Sequence, residues 1–97
     1  MEAMLFDAIK ARRVIQFIYR GHLRAVEPHM LGANELGHYA LSGWFVAGYS
    51  RESAPGWREY LLSGISHLQI TDATFPGPRT GYNPTGGTKF PRVYCRL

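Results

Sequence analysis

The stretch from Phe17 to Leu31, FIYRGHLRAVEPHML, decides how this chain reads. Val14 to Tyr19 is rich in β-branched and aromatic residues, with Ile15, Phe17 and Tyr19 on one face and Val14, Gln16 and Ile18 on the other. Arg20-Gly21 then predicts a tight hairpin turn, in which Gly21 can take a positive φ. His22 to Leu31 follows as the return strand. Pro28 has no N–H to give a ladder, so it requires an edge position or a bulge.

Outward from this hairpin the same pattern repeats. Gly32 to Gly37 is a loop of turn residues, and His38 to Tyr49 reads as a long third strand. Tyr39, Leu41, Gly43, Phe45 and Ala47 share one of its faces, and Gly43 and Gly48 allow it to bend. After a loop at Ser50 to Gly56, Trp57 to Leu62 is a fourth strand, Ser63-Gly64 a break, and Ile65 to Ile70 a fifth. Upstream, Ala3 to Arg13 reads as a short helix, with Met4, Leu5, Ala8 and Ile9 forming an apolar stripe and Lys10, Arg12 and Arg13 in its last turn. The fold class expected is mainly β: a short N-terminal helix followed by a five-stranded SH3-like or Sm-like barrel over residues 1–75.

With 97 residues the chain has room for one domain, and 45% hydrophobic residues are enough to give it a core. No apolar run approaches the roughly 20 residues a membrane helix needs, and the N-terminus lacks a signal-peptide pattern. The expectation is therefore a cytoplasmic protein without membrane contact. A single cysteine, Cys95, excludes an internal disulfide framework.

The formal charge of +4 is unevenly placed. Residues 1–72 hold seven Lys or Arg and all seven acids, whereas 73–97 hold Arg79, Lys89, Arg92 and Arg96 and no acid. Residues 76–97 carry four prolines and four glycines, and read as an irregular basic tail. Its cations and aromatics suit the tracking of a nucleic-acid backbone. Val93, Tyr94 and Leu97 suit docking on the barrel or on a partner subunit, with Phe90 to Leu97 able to pair as an edge strand. Docking is the reading we favour.

The candidate ligand-binding residues are Arg24, Arg58, His29, Tyr39, Trp44 and Arg20. Arginine grips phosphate or carboxylate through a bidentate fork, although Glu27, Glu35 and Glu59 are available as plain ion-pair partners. Aromatic rings beside arginines can stack bases. Alternation assigns Tyr39, Phe45 and Tyr60 to the interior and leaves Trp44 and Trp57 outside. The four histidines lack metal-ligand spacing, so no metal is expected; His29, next to Pro28 at a bulge, is aimed toward a site instead. Ser42, Ser63 and Ser66 lack a nucleophile elbow, Cys95 is the third residue from the end, and Gly86-Gly87-Thr88-Lys89 has the wrong spacing for a phosphate loop. Neither an enzyme nor a cofactor is expected.

In order and spacing, several segments together resemble the WYL domain family. They are Ala8-Ile9, Tyr19-Arg20-Gly21, Arg24-Ala-Val-Glu-Pro28, Gly37-His-Tyr-Ala-Leu41, Trp57-Arg-Glu-Tyr-Leu-Leu-Ser-Gly-Ile65 and Phe75. The family's Trp-Tyr-Leu falls on Tyr39-Ala40-Leu41, and its arginine- and aspartate-bearing strand end falls on Leu61-Leu62-Ser63-Gly64. The resemblance implies a bacterial SH3-like module that senses a nucleotide or single-stranded nucleic acid and modulates a transcriptional or defence-related partner. The alternative is a protein-interaction or homodimerisation module with no nucleic-acid ligand.

Overall fold

The computed structural model describes residues 1–48 and 54–97. Helix α1 spans Glu2–Ala11, followed by strands β1 (Arg13–Tyr19), β2 (His22–Ala33), β3 (Tyr39–Gly48) and β4 (Gly56–Leu61). A 3-10 turn at Leu62–Gly64 leads into β5 (Ile65–Thr74), and β6 (Arg92–Arg96) ends the chain. The expected third strand and its loop extend to Tyr49 and through Ser50–Ser53, which lie outside the described residues.

Arg20 and Gly21 take φ of 52° and 78°, the pair of left-handed conformations that a two-residue hairpin turn requires. Tyr19 consequently faces His22 at the head of an antiparallel ladder that runs to Ile15 opposite Val26. The sheet is antiparallel, in the order β4-β3-β2-β1-β5, with β6 added to β2. Beyond Val26, where β1 stops, β6 takes over the same side of β2, and Met30 faces Arg96 while Ala33 faces Arg92. The sheet thus has six strands, one more than expected. No ladder among the described residues joins β4 to β5, so it bends without closing.

Bulges supply the bend. The β2–β3 register shifts between Ala25 and Val26 and again between Pro28 and Met30. The second shift lies at the proline, which lets Pro28 occupy a central strand without leaving a ladder acceptor unpaired. At Gly43 a Cβ would collide with the Val26 side chain and lie 2.9 Å from the Glu27 carbonyl oxygen. Gly43→Ala is expected to destabilise the fold by about 1–3 kcal/mol, measured by denaturant unfolding, because the Val26 methyl is packed in the core and the Glu27 carbonyl is held in the strand.

The concave face holds the core. Leu5, Ala8 and Ile9 of α1 pack on Ile15, Phe17 and Tyr19 of β1, Val26 and Leu31 of β2, Leu41, Tyr60, Leu62, Ile65 and Cys95. The helix stripe matches the one expected except at Met4, which is exposed. Tyr39 requires a correction. It is not inward but 49% exposed, because it is the first residue of β3 and a groove of about 410 Å³ separates it from α1. Its ring meets Tyr94 edge-on at 5.3 Å instead.

Residues 75–91 are irregular but anchored. The Phe75 N–H donates to the Arg12 carbonyl, Arg12 Nη1 to Pro76, and the Leu97 N–H to the carbonyl of His29. Phe90 is buried against Met30 and Ala40. The segment crosses the convex face of β2, β3 and β4 and returns as β6, which pairs with β2 within the stretch Phe90 to Leu97 read as able to form an edge strand.

Candidate functional site

The concave face ends in a cluster of arginines and tyrosines. Tyr19 of β1 and Tyr60 of β4 meet edge to face at 5.1 Å, and Phe17 contacts Tyr60 in the same way at 5.0 Å. Gly64 admits the Tyr19 ring, since a Cβ there would stand 2.7 Å from it. Arg24 faces Phe17 across the hairpin and so shares this face. Its guanidinium lies 5.4 Å from the Tyr19 ring centre and 5.9 Å from that of Tyr60, and donates to the Tyr19 carbonyl from Nε and Nη2. Arg58, two residues before Tyr60 and facing Gly43, sits 5.4 Å over Phe45 and donates to the carbonyls of Ala54 and Trp57. Arg20, in the turn, covers Tyr19 at 5.5 Å.

The chemistry of this cluster centres on the Tyr60 hydroxyl. It is buried and makes no hydrogen bond among the described residues. Burial pushes its pKa up, while the charge and the side-chain polar contact of Arg24, and then the charge of Arg58, pull it down. The Arg24 guanidinium stands beside the oxygen but falls outside strict hydrogen-bond geometry. A buried hydroxyl left without a partner costs about 1–3 kcal/mol. The hydroxyl is closed to solvent, so an anionic oxygen would reach it only by displacing the Arg24 guanidinium beside the ring.

The other candidates lie elsewhere. On the convex face, Glu27, Trp44 and Trp57 form one cross-strand row of β2, β3 and β4. The tail covers that row. Arg79 donates from Nε and Nη2 to the two carboxylate oxygens of Glu27 at 2.7 and 2.8 Å, and its guanidinium lies 5.2 Å from the Trp44 ring centre. Trp57 Nε1 donates to the Thr80 carbonyl. The two tryptophans read as outward are therefore half-buried beneath a strap.

His29, aimed by the bulge at Pro28, is wholly buried under the same strap. Its Nδ1 bonds the Glu27 carbonyl at 2.8 Å, which makes that nitrogen the N–H donor. Nε2 then accepts the Arg79 backbone N–H at 3.1 Å. Phe75 stacks on the ring at 5.4 Å and Trp57 meets it edge-on at 4.7 Å. Both nitrogens are committed within the protein, and burial lowers the pKa. The sequence candidates thus divide into Arg20, Arg24 and Arg58 on the concave face, Trp44 and His29 beneath the strap, and Tyr39 at the rim.

Three features escaped sequence reading. Tyr60 was assigned only to the core. Glu27 was read as a partner for strand arginines, yet it pairs with Arg79, 52 residues away. An acid in the middle of an apolar strand was the signal for such a pairing. The third is a cleft of about 480 Å³ between the strap and the convex face, lined by Trp57, Tyr82 and Phe90 and bordered by Arg58. Of the tail's four cations, Arg79 pairs with Glu27, Lys89 lies 3.6 Å from Glu59, and Arg96 donates to the Pro84 carbonyl. Among the described residues, no group of three His, Cys, Asp or Glu is placed to hold a metal ion, and no helix is long and apolar enough to cross a membrane. No protein-family model, curated protein or solved structure matches the chain.

Proposed function

We propose that this chain is a WYL-type sensory module on an SH3-like, strongly bent sheet, and that it binds an anionic ligand at Arg24, Arg58 and Tyr60. The reading takes the ligand to be a nucleotide or single-stranded nucleic acid, with the module modulating a transcriptional or defence-related partner without catalysis. One observation carries the site: two arginines 34 positions apart in sequence lie on one face, Arg24 5.9 Å from the Tyr60 ring centre and Arg58 two residues before Tyr60 over Phe45. The order of helix, hairpin and three further strands supports the fold.

Binding of a fluorescently labelled single-stranded oligonucleotide, titrated at two salt concentrations, tests this reading. Affinity is expected to fall with salt by a logarithmic slope of about −0.7 for each phosphate contacted. Arg24→Ala with Arg58→Ala is expected to weaken binding roughly 100-fold, equivalent to two charge-assisted contacts of about 1.4 kcal/mol each. Tyr60→Phe separates the two roles of the hydroxyl. It is expected to weaken binding while raising stability by about 1 kcal/mol, since it removes an unsatisfied buried group. No binding at low salt, or an affinity indifferent to salt and to both arginines, overturns the proposal.

A second reading, a homodimer or protein-partner module, draws on Phe6, Tyr39 and Tyr94, which expose between 46% and 49% of their surface around one groove. Native mass measurement of the purified protein distinguishes a dimer from a monomer with retained ligand.

A further inference from the structure

We propose that the convex-face cleft is a second binding site, built for a small aromatic zwitterion of the chemical class of an aromatic amino acid. The cleft exists because small residues meet there. Its floor is the pair Met30 and Ser42, where β3 contributes only a hydroxymethyl group, and Glu59, opposite Ser42 on β4, reaches from there to the rim. Its roof is tail backbone at Gly81 and Gly86, which place no side chain into the space. A volume of about 480 Å³ lies within the range of roughly 300–1,000 Å³ usual for small-molecule sites.

The lining specifies the ligand. Trp57, Tyr82 and Phe90 are each anchored: Trp57 by its bond to Thr80, Tyr82 by near-parallel stacking on Trp57 and a hydroxyl bond to the Leu97 carbonyl, and Phe90 by burial on Met30 and Ala40. Fixed aromatic walls receive a planar ring at little entropic cost. The half-buried Ser42 hydroxyl makes no hydrogen bond among the described residues, so a ring N–H or hydroxyl reaching the floor has an acceptor. At the mouth, Lys89 Nζ and Glu59 Oε1 stand 3.6 Å apart, beyond hydrogen-bond distance, with both side chains reaching solvent. Such a loose pair is easily opened. Opposite charges side by side match a carboxylate and an ammonium carried on one carbon, the carboxylate facing Lys89 and the ammonium facing Glu59. A nucleotide fits worse, because Glu59 repels its phosphate.

Titrating the whole protein with L-tryptophan, followed by NMR, tests the site. Saturable shifts are expected at the Trp57 indole N–H and the Gly86 amide. Ser42→Leu, which fills the floor, is expected to abolish them. Glu59→Gln with Lys89→Gln, both on the exposed rim and harmless to the core, is expected to weaken binding about tenfold. Any one of three results overturns the proposal: no saturable shift by about 10 mM ligand, indole alone binding as well as the amino acid, or affinity unchanged by the rim double substitution.

Discussion

Phe90→Ala is expected to lower the unfolding free energy by about 3 kcal/mol, a large fraction of what a domain of this size possesses. Phe90 is 3% exposed and lies at the centre of the second apolar cluster, on Met30 and Ala40 with Leu61, Tyr82 and Val93 around it. Gly32 is the reason it fits. A Cβ on Gly32 would strike the Arg92 carbonyl and come 3.0 Å from the Phe90 ring, so strand and tail approach each other only over a glycine. Truncating the ring leaves a cavity that the anchored strap cannot collapse into, because Gly86 accepts from the Phe90 N–H on one side and β6 pairs with β2 on the other. Denaturant unfolding measures the loss. Hydrogen exchange should localise it, with the Arg92–Arg96 amides losing protection before those of β1 and the hairpin. Uniform protection in the variant would mean that the tail does not depend on this contact.

The second large effect is acid lability centred on His29. With Nδ1–H donated to the Glu27 carbonyl, Nε2 holds its lone pair toward the Arg79 N–H. Protonation puts a second N–H on that line, so donor opposes donor inside an enclosure of Phe75, Trp57 and Tyr82. The charged groups facing the ring act in opposite directions. Burial, the largest effect, disfavours the imidazolium and the Arg79 guanidinium adds to it; the hydrogen bond to the Glu27 carbonyl and the Glu27 carboxylate oppose them, and the pKa stays below 6.5. The unfolded chain therefore binds this proton more readily than the folded one. Stability is fully present above about pH 6.5 and is lost as pH falls from there through the folded pKa, with a slope of at most about 1.4 kcal/mol per pH unit for one proton. Unfolding curves between pH 7.5 and 5 should show the decline in the wild type. His29→Gln, which keeps a donor and an acceptor but does not titrate, should remove it. A flat profile in the wild type would show that the ring accepts a proton without disturbing the strap.

Much of the scaffold is written locally. Arg20-Gly21 between two alternating strands permits little besides a hairpin, because only residues tolerant of positive φ close a two-residue turn. Pro28 predicts its own bulge, since a residue without an N–H cannot sit in a regular central ladder. The spacing of Leu5, Ala8 and Ile9 predicts which helix face is buried. The candidate site was legible only as chemistry. Arg24 and Arg58 stand out as forked cations on strands, but nothing local indicates that both come to bear on Tyr60. That coincidence depends on the β2–β3–β4 register, which the bulges at Val26 and Met30 set.

The misassigned residues share a cause. Trp44 and Trp57 alternate outward from the core and so read as exposed, yet a segment 22 or more positions further along the chain covers them. Tyr39 alternates inward and so reads as buried, yet at the end of its strand Tyr94 meets one side of the ring and the groove toward α1 leaves the rest exposed. Alternation reports which face of a sheet a side chain occupies; it does not report what lies against that face.

By itself the sequence determined the helix, the hairpin, the next three strands and the neutral balance of residues 1–72, because each follows from backbone preference, side-chain period or a count of charges. Only the tertiary structure decided that the basic tail sets Arg79 on Glu27, locks His29 in one tautomer and leaves a cleft above Ser42. Those contacts join residues about 40 to 50 positions apart, and their partners are selected by the shape of the folded sheet, which no local pattern encodes.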